Sequence, residues 1–178
     1  LFFAVIALLL WEKQNDYERN LVLRYTEGSA EQMAIRVEGL MKVRIAAIEL
    51  LGDRWVERRP PDFSRKRFLQ FAGTFYRHYP GFTGINWMDA DGVVRWVFPE
   101  EANAIAKDKA AYEHPDPRYR AAFERAKENH QEQVTPCLEV YQGGAGFDVF
   151  VPLVHDGRVQ GYLDGVFPVG RLLETALA

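Results

Sequence analysis

The sequence is poor in the residues that build disulfides, metal centres and reactive sites. A single cysteine, Cys137, excludes an intrachain disulfide, and the four histidines, His78, His114, His130 and His155, are scattered without zinc-type spacing. No nucleophile motif and no Ser-His-Asp pattern is present, so no cofactor, no metal and no enzymatic activity is expected of this chain. An excess of positive charge is missing too: 22 Lys and Arg stand against 25 Asp and Glu, a formal net charge of -3. The one basic cluster, Arg54, Arg58, Arg59, Arg65, Lys66 and Arg67, reads as solvated helix ends, which argues against a nucleic-acid partner. Repeats and low-complexity segments are absent as well.

What the chain does have is apolar substance. At 178 residues and 48% hydrophobic composition it can bury one sensing-size domain and still carry an extended element. Leu1 to Leu10 is uninterruptedly apolar and Trp11 is followed by Glu12 and Lys13. Ten residues do not span a bilayer, which takes about 20. Because the sequence starts without methionine, residues 1–11 are expected to be the outer end of a truncated transmembrane helix, with Trp11 at the membrane interface. A buried helix start or a signal-peptide remnant is the alternative.

From about Asn15 to Val56 there is no proline, and Ala30, Met33, Ala34, Val37, Leu40, Met41, Ile45, Ile48, Leu51 and Trp55 recur at helical spacing. Residues 12–60 therefore read as one long stalk helix, weakest at Gly28-Ser29 and ended by Pro60-Pro61. Such a helix outruns a small domain, and a second copy of itself is its simplest partner, so a homodimer is expected. Asp62 or Ser64 caps a second helix with the stripe Phe68, Phe71, Ala72, Phe75 and Tyr79, which Pro80-Gly81 stops.

The period then changes to two. Phe82 to Asp89 and Val93 to Phe98 flank the turn Asp89-Ala90-Asp91-Gly92. With Trp87 across from Val94, the residues Ile85, Trp87, Val94, Trp96 and Phe98 share one face, and Asn86, Met88, Val93 and Arg95 the other. A long connection with short helix signals over Ala102 to Tyr112 leads to a helix from Asp116-Pro117 to Glu128. Three strands follow, Gln133 to Gln142, Phe147 to Val154 and Val159 to Phe167, the last two joined at Asp156-Gly157, and Val169 to Leu177 begins an exit helix. This order predicts an α+β domain over 61–178: a five-stranded antiparallel sheet with flanking helices, of the kind seen in extracytoplasmic PAS-like folds.

From about Pro80 to Leu177 the chain resembles the CHASE family of extracytoplasmic sensor domains, especially its bacterial members. The resemblance rests on Asn86-Trp87-Met88-Asp89-Ala90-Asp91-Gly92-Val93-Val94-Arg95-Trp96-Val97, the helix Arg120 to Glu128, and Thr135-Pro136. It continues through Gln142-Gly143-Gly144-Ala145-Gly146-Phe147, Val151-Pro152-Leu153-Val154, Gly161 to Phe167 and Leu172-Leu173. It implies a small-molecule sensing module on the outer, periplasmic side of a cell membrane, with a histidine kinase or diguanylate cyclase output elsewhere in the receptor. In the plant cytokinin receptors of this family an acidic pocket residue falls at or near Tyr119 here, so the resemblance does not extend to an adenine-type ligand.

By the same resemblance Val140, Phe150 and Tyr162 face ligand. Strand parity then brings Asp148 and Asp164 onto that face. Aspartate is disfavoured in strands and costly to bury unpaired, which leaves two explanations. Either the pair accepts a cationic or hydrogen-bond-donating ligand between aromatic walls, or it serves structure by pairing with Arg95, Arg118, Arg120 or backbone donors of the crossover. Tyr112, Arg118 and Tyr119 lie where a PAS-like fold closes its pocket and are candidates with them; Trp96 is a further candidate, though a core position suits it as well. The glycine-rich turn at Gly143 opens no helix and makes a poor phosphate site. A competing reading, a ligand-independent dimerisation or protein-interaction module, expects Trp96, Phe98 and Phe150 to fill the cavity completely.

Overall fold

The computed structural model describes residues 2–57 and 62–177, with side chains from residue 11 onward. Helix α1 runs Phe2–Val56, unbroken at Gly28-Ser29, because one glycine costs only about 1 kcal/mol against the bonds of its neighbours. The expected stop at Pro60-Pro61 and the side chains of the apolar run 1–10 lie outside the described residues. Among the described residues no helix is long and apolar enough to cross a membrane. The chain divides into two compact units, one ending at Gly39 and one beginning at Leu40. The first is helix alone, with Trp11, Tyr17, Leu21, Val22, Leu23, Tyr25 and Ile35 exposed along it.

In the second unit, α2 (Arg65–His78) is capped by Ser64, whose hydroxyl accepts from the Arg67 amide. Strands β1 (Gly84–Met88) and β2 (Val94–Phe98) form the first hairpin. The crossover holds a short α3 (Glu100–Asn103) and two 3-10 turns, Ala104–Ala106 and Ala111–Glu113, in place of one helix. Then comes α4 (Pro117–Asn129), opened by Asp116 as cap and Pro117 in the first turn, where its missing N–H is harmless. Strands β3 (Gln133–Val134), β4 (Leu138–Glu139), β5 (Ala145–His155) and β6 (Arg158–Pro168) follow, and α5 (Val169–Leu177) closes the chain.

The six strands make one antiparallel sheet in the order β2-β1-β6-β5-β3, with β4 also pairing β5. The predicted α+β architecture is what forms, with one strand more than expected. The segment 133–142 breaks into β3 and β4 because Pro136 has no N–H for the ladder, and the chain steps out there, after the Thr135 amide has bonded the Asp148 carbonyl, before rejoining β5 at Leu138. The β5–β6 hairpin closes at Asp156-Gly157, both at positive φ (50° and 73°), the geometry that a two-residue turn of matching twist requires.

The register of the first hairpin differs from expectation. Trp87 lies across from Trp96, and an irregularity between Trp87 and Met88 sets Val94 opposite Met88. The extra residue turns Val94 to the other face, where it is buried with Met88, while Arg95 reaches solvent and holds Asp89 at 2.7 Å.

Each face of the sheet carries its own core. On one, Ile48, Leu51 and Trp55 of α1 and Phe68, Ala72 and Phe75 of α2 pack on Ile85, Val149, Val151, Leu163 and Phe167. Close approach depends on Gly165 of β6, where a Cβ would overlap Ile48 Cδ1. On the other, Tyr119, Ala122, Phe123 and Ala126 of α4 cover Met88, Val97, Phe150, Tyr162 and Val166, with Leu138 and Val140 at the side. Period-two alternation thus sorts β5 and β6 between a helix-packed core and the face closed by α4 and the crossover.

Candidate functional site

The face under α4 contains the sheet's polar interior. Asp164 of β6 lies opposite Phe150 of β5 and opposite Asn86 of β1, and Asp148 sits one pair along, opposite Val166. Asp148, Asp164 and Asn86 are 3%, 2% and 1% exposed, as buried as the leucines around them. Asn86 Nδ2 donates to Asp164 Oδ2 at 2.8 Å. The Asp148 amide donates to Thr135 Oγ1 at 2.9 Å, and its carbonyl accepts from the Thr135 amide at 2.9 Å, which fixes the strand but leaves the carboxyl free of that link. Asp148 Oδ2, Asp164 Oδ1 and Asn86 Oδ1 receive no donor from the protein. Buried acceptors are rarely left so.

The arginines expected to neutralise these carboxyls are engaged elsewhere. Arg95 binds Asp89, Arg118 binds Asp116 at 2.6 Å, and Arg120 donates to the carbonyls of His114 and Pro115. Burial therefore acts unopposed by any cation. It raises the Asp148 carboxyl well above the usual range, helped by the charge of Asp164 and by a hydrogen bond to it. Burial also raises Asp164, while hydrogen bonds from Asn86 and Asp148 hold it to about 7. The two carboxyls accordingly titrate as a pair, raised above the usual carboxylate range by burial.

Aromatic rings roof this pair. Tyr119 meets Phe150 edge-on at 5.0 Å and stacks on His114 at 4.0 Å, and Phe123 meets Phe150 at 5.5 Å and Tyr162 at 4.9 Å. Burial and the two aspartates push the Tyr119 hydroxyl well up, so it stays neutral as a donor. Burial pushes His114 down, and its Nδ1 accepts from the Asp116 amide at 3.1 Å, so the ring is neutral.

Of the residues named from sequence, Asp148, Asp164, Phe150, Tyr162, Val140 and Tyr119 come together on this face. Trp96 does not: it packs on the opposite face, stacked on Trp87 at 4.1 Å. Tyr112 is 53% exposed, and the Arg118 side chain is 57% exposed and held by Asp116. Because Trp96 and Phe98 lie across the sheet from Phe150, the three cannot fill one cavity, contrary to what the interaction-module reading expects. Sequence reasoning missed Asn86, His114 and Tyr141. Tyr141 follows β4, which ends at Glu139, and packs edge-on against His114 at 4.7 Å. A separate cleft of about 290 Å³, lined by Gly52, Asp53, Val56, Glu57, His130, Pro152 and Val154, includes neither aspartate. Among the described residues no group of three or more His, Cys, Asp or Glu is placed to hold a metal.

No family profile and no curated protein matches the chain. Solved structures do. An extracellular ligand binding receptor from Desulfohalobium retbaense DSM5692 superposes with a TM-score of 0.66 at 13% identity, over 82% of this chain and 26% of that one. The ligand-binding domain of the Pseudomonas aeruginosa PAO1 amino acid chemoreceptor PctC, in complex with GABA, matches at a TM-score of 0.55 and 20% identity, over 79% of this chain and 60% of that one. The ligand-binding domain of the Pseudomonas fluorescens chemoreceptor CtaA, in complex with L-alanine, matches at a TM-score of 0.57 and 16% identity, over 85% of this chain and 62% of that one. The chain thus spans from about a quarter to three-fifths of the length of these structures. At such identities the likeness shows the fold, which is that of PAS-like extracellular sensor domains.

Proposed function

We propose that this chain is an extracytoplasmic, CHASE-type sensor domain of a bacterial membrane receptor, and that its ligand is a small molecule bearing a protonated amine. The observation that carries the reading is the buried pair Asp148 and Asp164, with one oxygen of each carboxyl and the neighbouring Asn86 amide oxygen lacking donors and, among the described residues, no protein cation on either carboxyl. An ammonium group supplies both the missing charge and the missing N–H donors, and Phe150, Tyr162 and Tyr119 supply the aromatic walls that suit a cation. GABA and L-alanine, the ligands in the PctC and CtaA complexes, each carry such a group. The domain itself performs no chemistry. Signal passes from the sheet to α1 and α5, with the membrane at the far end of α1, a homodimer along it, and a kinase or cyclase output beyond.

A thermal-shift screen of primary amines, amino acids, organic acids and fatty acids tests this. A binder at 100 times its dissociation constant stabilises the protein by about 2.7 kcal/mol, and binders should come from the amine-bearing compounds. Stabilisation by organic or fatty acids alone would overturn the amine assignment.

A further inference from the structure

We propose that the Asp148–Asp164 pair holds one proton at neutral pH in the ligand-free domain and releases it when a cationic group enters, so that the site exchanges a proton for its ligand. The inference rests on the reading of this face as an amine pocket. Asp148 and Asp164 stand at diagonal positions on the neighbouring strands β5 and β6, both almost wholly buried on one face with an oxygen of each lacking a donor, and two carboxyls so placed among apolar side chains do not both ionise without a cation. The alternative is a pair of bare like charges in a nonpolar site.

Nothing around the pair supplies a compensating charge. Asn86 of β1 is neutral and donates to Asp164; Thr135, between β3 and β4, bonds only the Asp148 backbone. Tyr119 of α4, and Tyr141 after β4, are pushed up by burial and by these aspartates, so both stay uncharged. His114, behind Tyr119, is pushed down by burial, and Tyr162 of β6 is pushed up by it. No lysine or arginine contributes to either carboxyl among the described residues.

Charge balance then dictates the exchange. With one proton the pair carries a single negative charge. With an ammonium ligand and no proton, two negative charges and one positive again leave a single negative charge, so the buried site keeps the same net charge in both states. The displaced proton goes to solvent, and the ligand amine, with a pKa near that of lysine at about 10.4, keeps its own. Between the two titrations of the pair apparent affinity rises tenfold per pH unit, below the first it rises more steeply, and above the second the dependence flattens. The domain therefore reports ligand and outside acidity together.

The test is calorimetry of the protein with GABA and with n-butylammonium chloride, in buffers of different ionisation enthalpy, from about pH 5.5 to about pH 7.5. Infrared difference spectra of the ligand-free protein accompany it. The expected result is about one proton released per amine bound at the neutral end, above the first titration of the pair at about 7, more than one at the acid end, tighter binding as pH rises, and a buried protonated-carboxyl band that binding removes. D148N should lower the number of protons released per amine by about one and flatten the pH slope accordingly, while the amine still seats on Asp164. Amine binding without proton release, or a ligand-free protein with no protonated-carboxyl band, overturns the exchange and leaves the amine pocket standing. Failure of both amines to bind overturns the pocket, and the exchange with it.

Discussion

Asn86 on β1 and Asp164 on β6 face each other across the ladder, and the amide donates to the carboxylate at 2.8 Å with both side chains almost wholly buried. The donor is a neutral amide, and the bond is among the forces that keep the Asp164 pKa from rising further. Replacing Asn86 with alanine leaves that oxygen without a donor. The expected loss is about 1–3 kcal/mol of stability, read by urea denaturation, with the Asp164 titration moved upward in carbon-detected NMR. An unchanged midpoint together with an unchanged titration would mean that the bond contributes nothing.

The pH dependence of stability follows from the same pair. Both carboxyls are raised above their unfolded values, so the folded state binds more protons than the unfolded one. Their contribution is complete below the unfolded value near 4 and is lost as pH rises through the folded values, that of Asp164 being about 7. The ligand-free midpoint should therefore fall between about pH 5 and about pH 8. The exposed Asp116, held down to about 2 by Arg118, acts in the opposite sense and only in strong acid. A double substitution of Asp148 and Asp164 by asparagine should flatten the neutral slope; persistence of the full slope would assign it to other groups.

A third expectation concerns the helix-packed face. Gly165 of β6 leaves room for Ile48 of α1, and a Cβ there overlaps Ile48 Cδ1. Gly165→Ala should destabilise by about 1–3 kcal/mol, as overpacking does. Ile48→Val in the same chain should recover part of that loss, so the pair should show a coupling in a double-mutant cycle. Additive effects would place the strain elsewhere.

Much of this was legible because it rests on local rules. Asp116-Pro117 announced α4, Asp156-Gly157 announced the tight turn, and side-chain parity added Asp148 and Asp164 to the face on which the family resemblance had set Phe150 and Tyr162. Misses occur where the period is broken. An irregularity at Trp87/Met88 sent Val94 to the other face, and the departure from the ladder at Pro136 divided one expected strand. Asn86 was placed on the correct face but not recognised as a partner, since only the β1–β6 pairing sets it opposite Asp164. Tyr112 and Arg118 show the limit of neighbourhood in sequence: the 3-10 turn and the Asp116 cap direct both to solvent.

The last prediction concerns the unit that ends at Gly39, and the helix that continues from it. Ala30, Met33 and Val37 share one face of this helix, which Leu40 and Met41 continue, and none of the five is fully buried, so an apolar stripe is left that the chain does not cover by itself. If α1 leads out of a membrane as proposed, both copies in a homodimer leave from the same side, and their pairing is parallel. Identical positions on the apolar stripe then meet. Cysteines at Ala30, Val37 and Leu40 in the full-length receptor should crosslink to their own counterparts, while cysteines at Glu31 and Lys42 should not. Equal crosslinking on every face, or none at any site, would rule out a defined stalk interface and with it this route from pocket to output. A ligand-dependent change in the yields at Val37 and Leu40, absent from D164N, would tie the stalk to the buried pair.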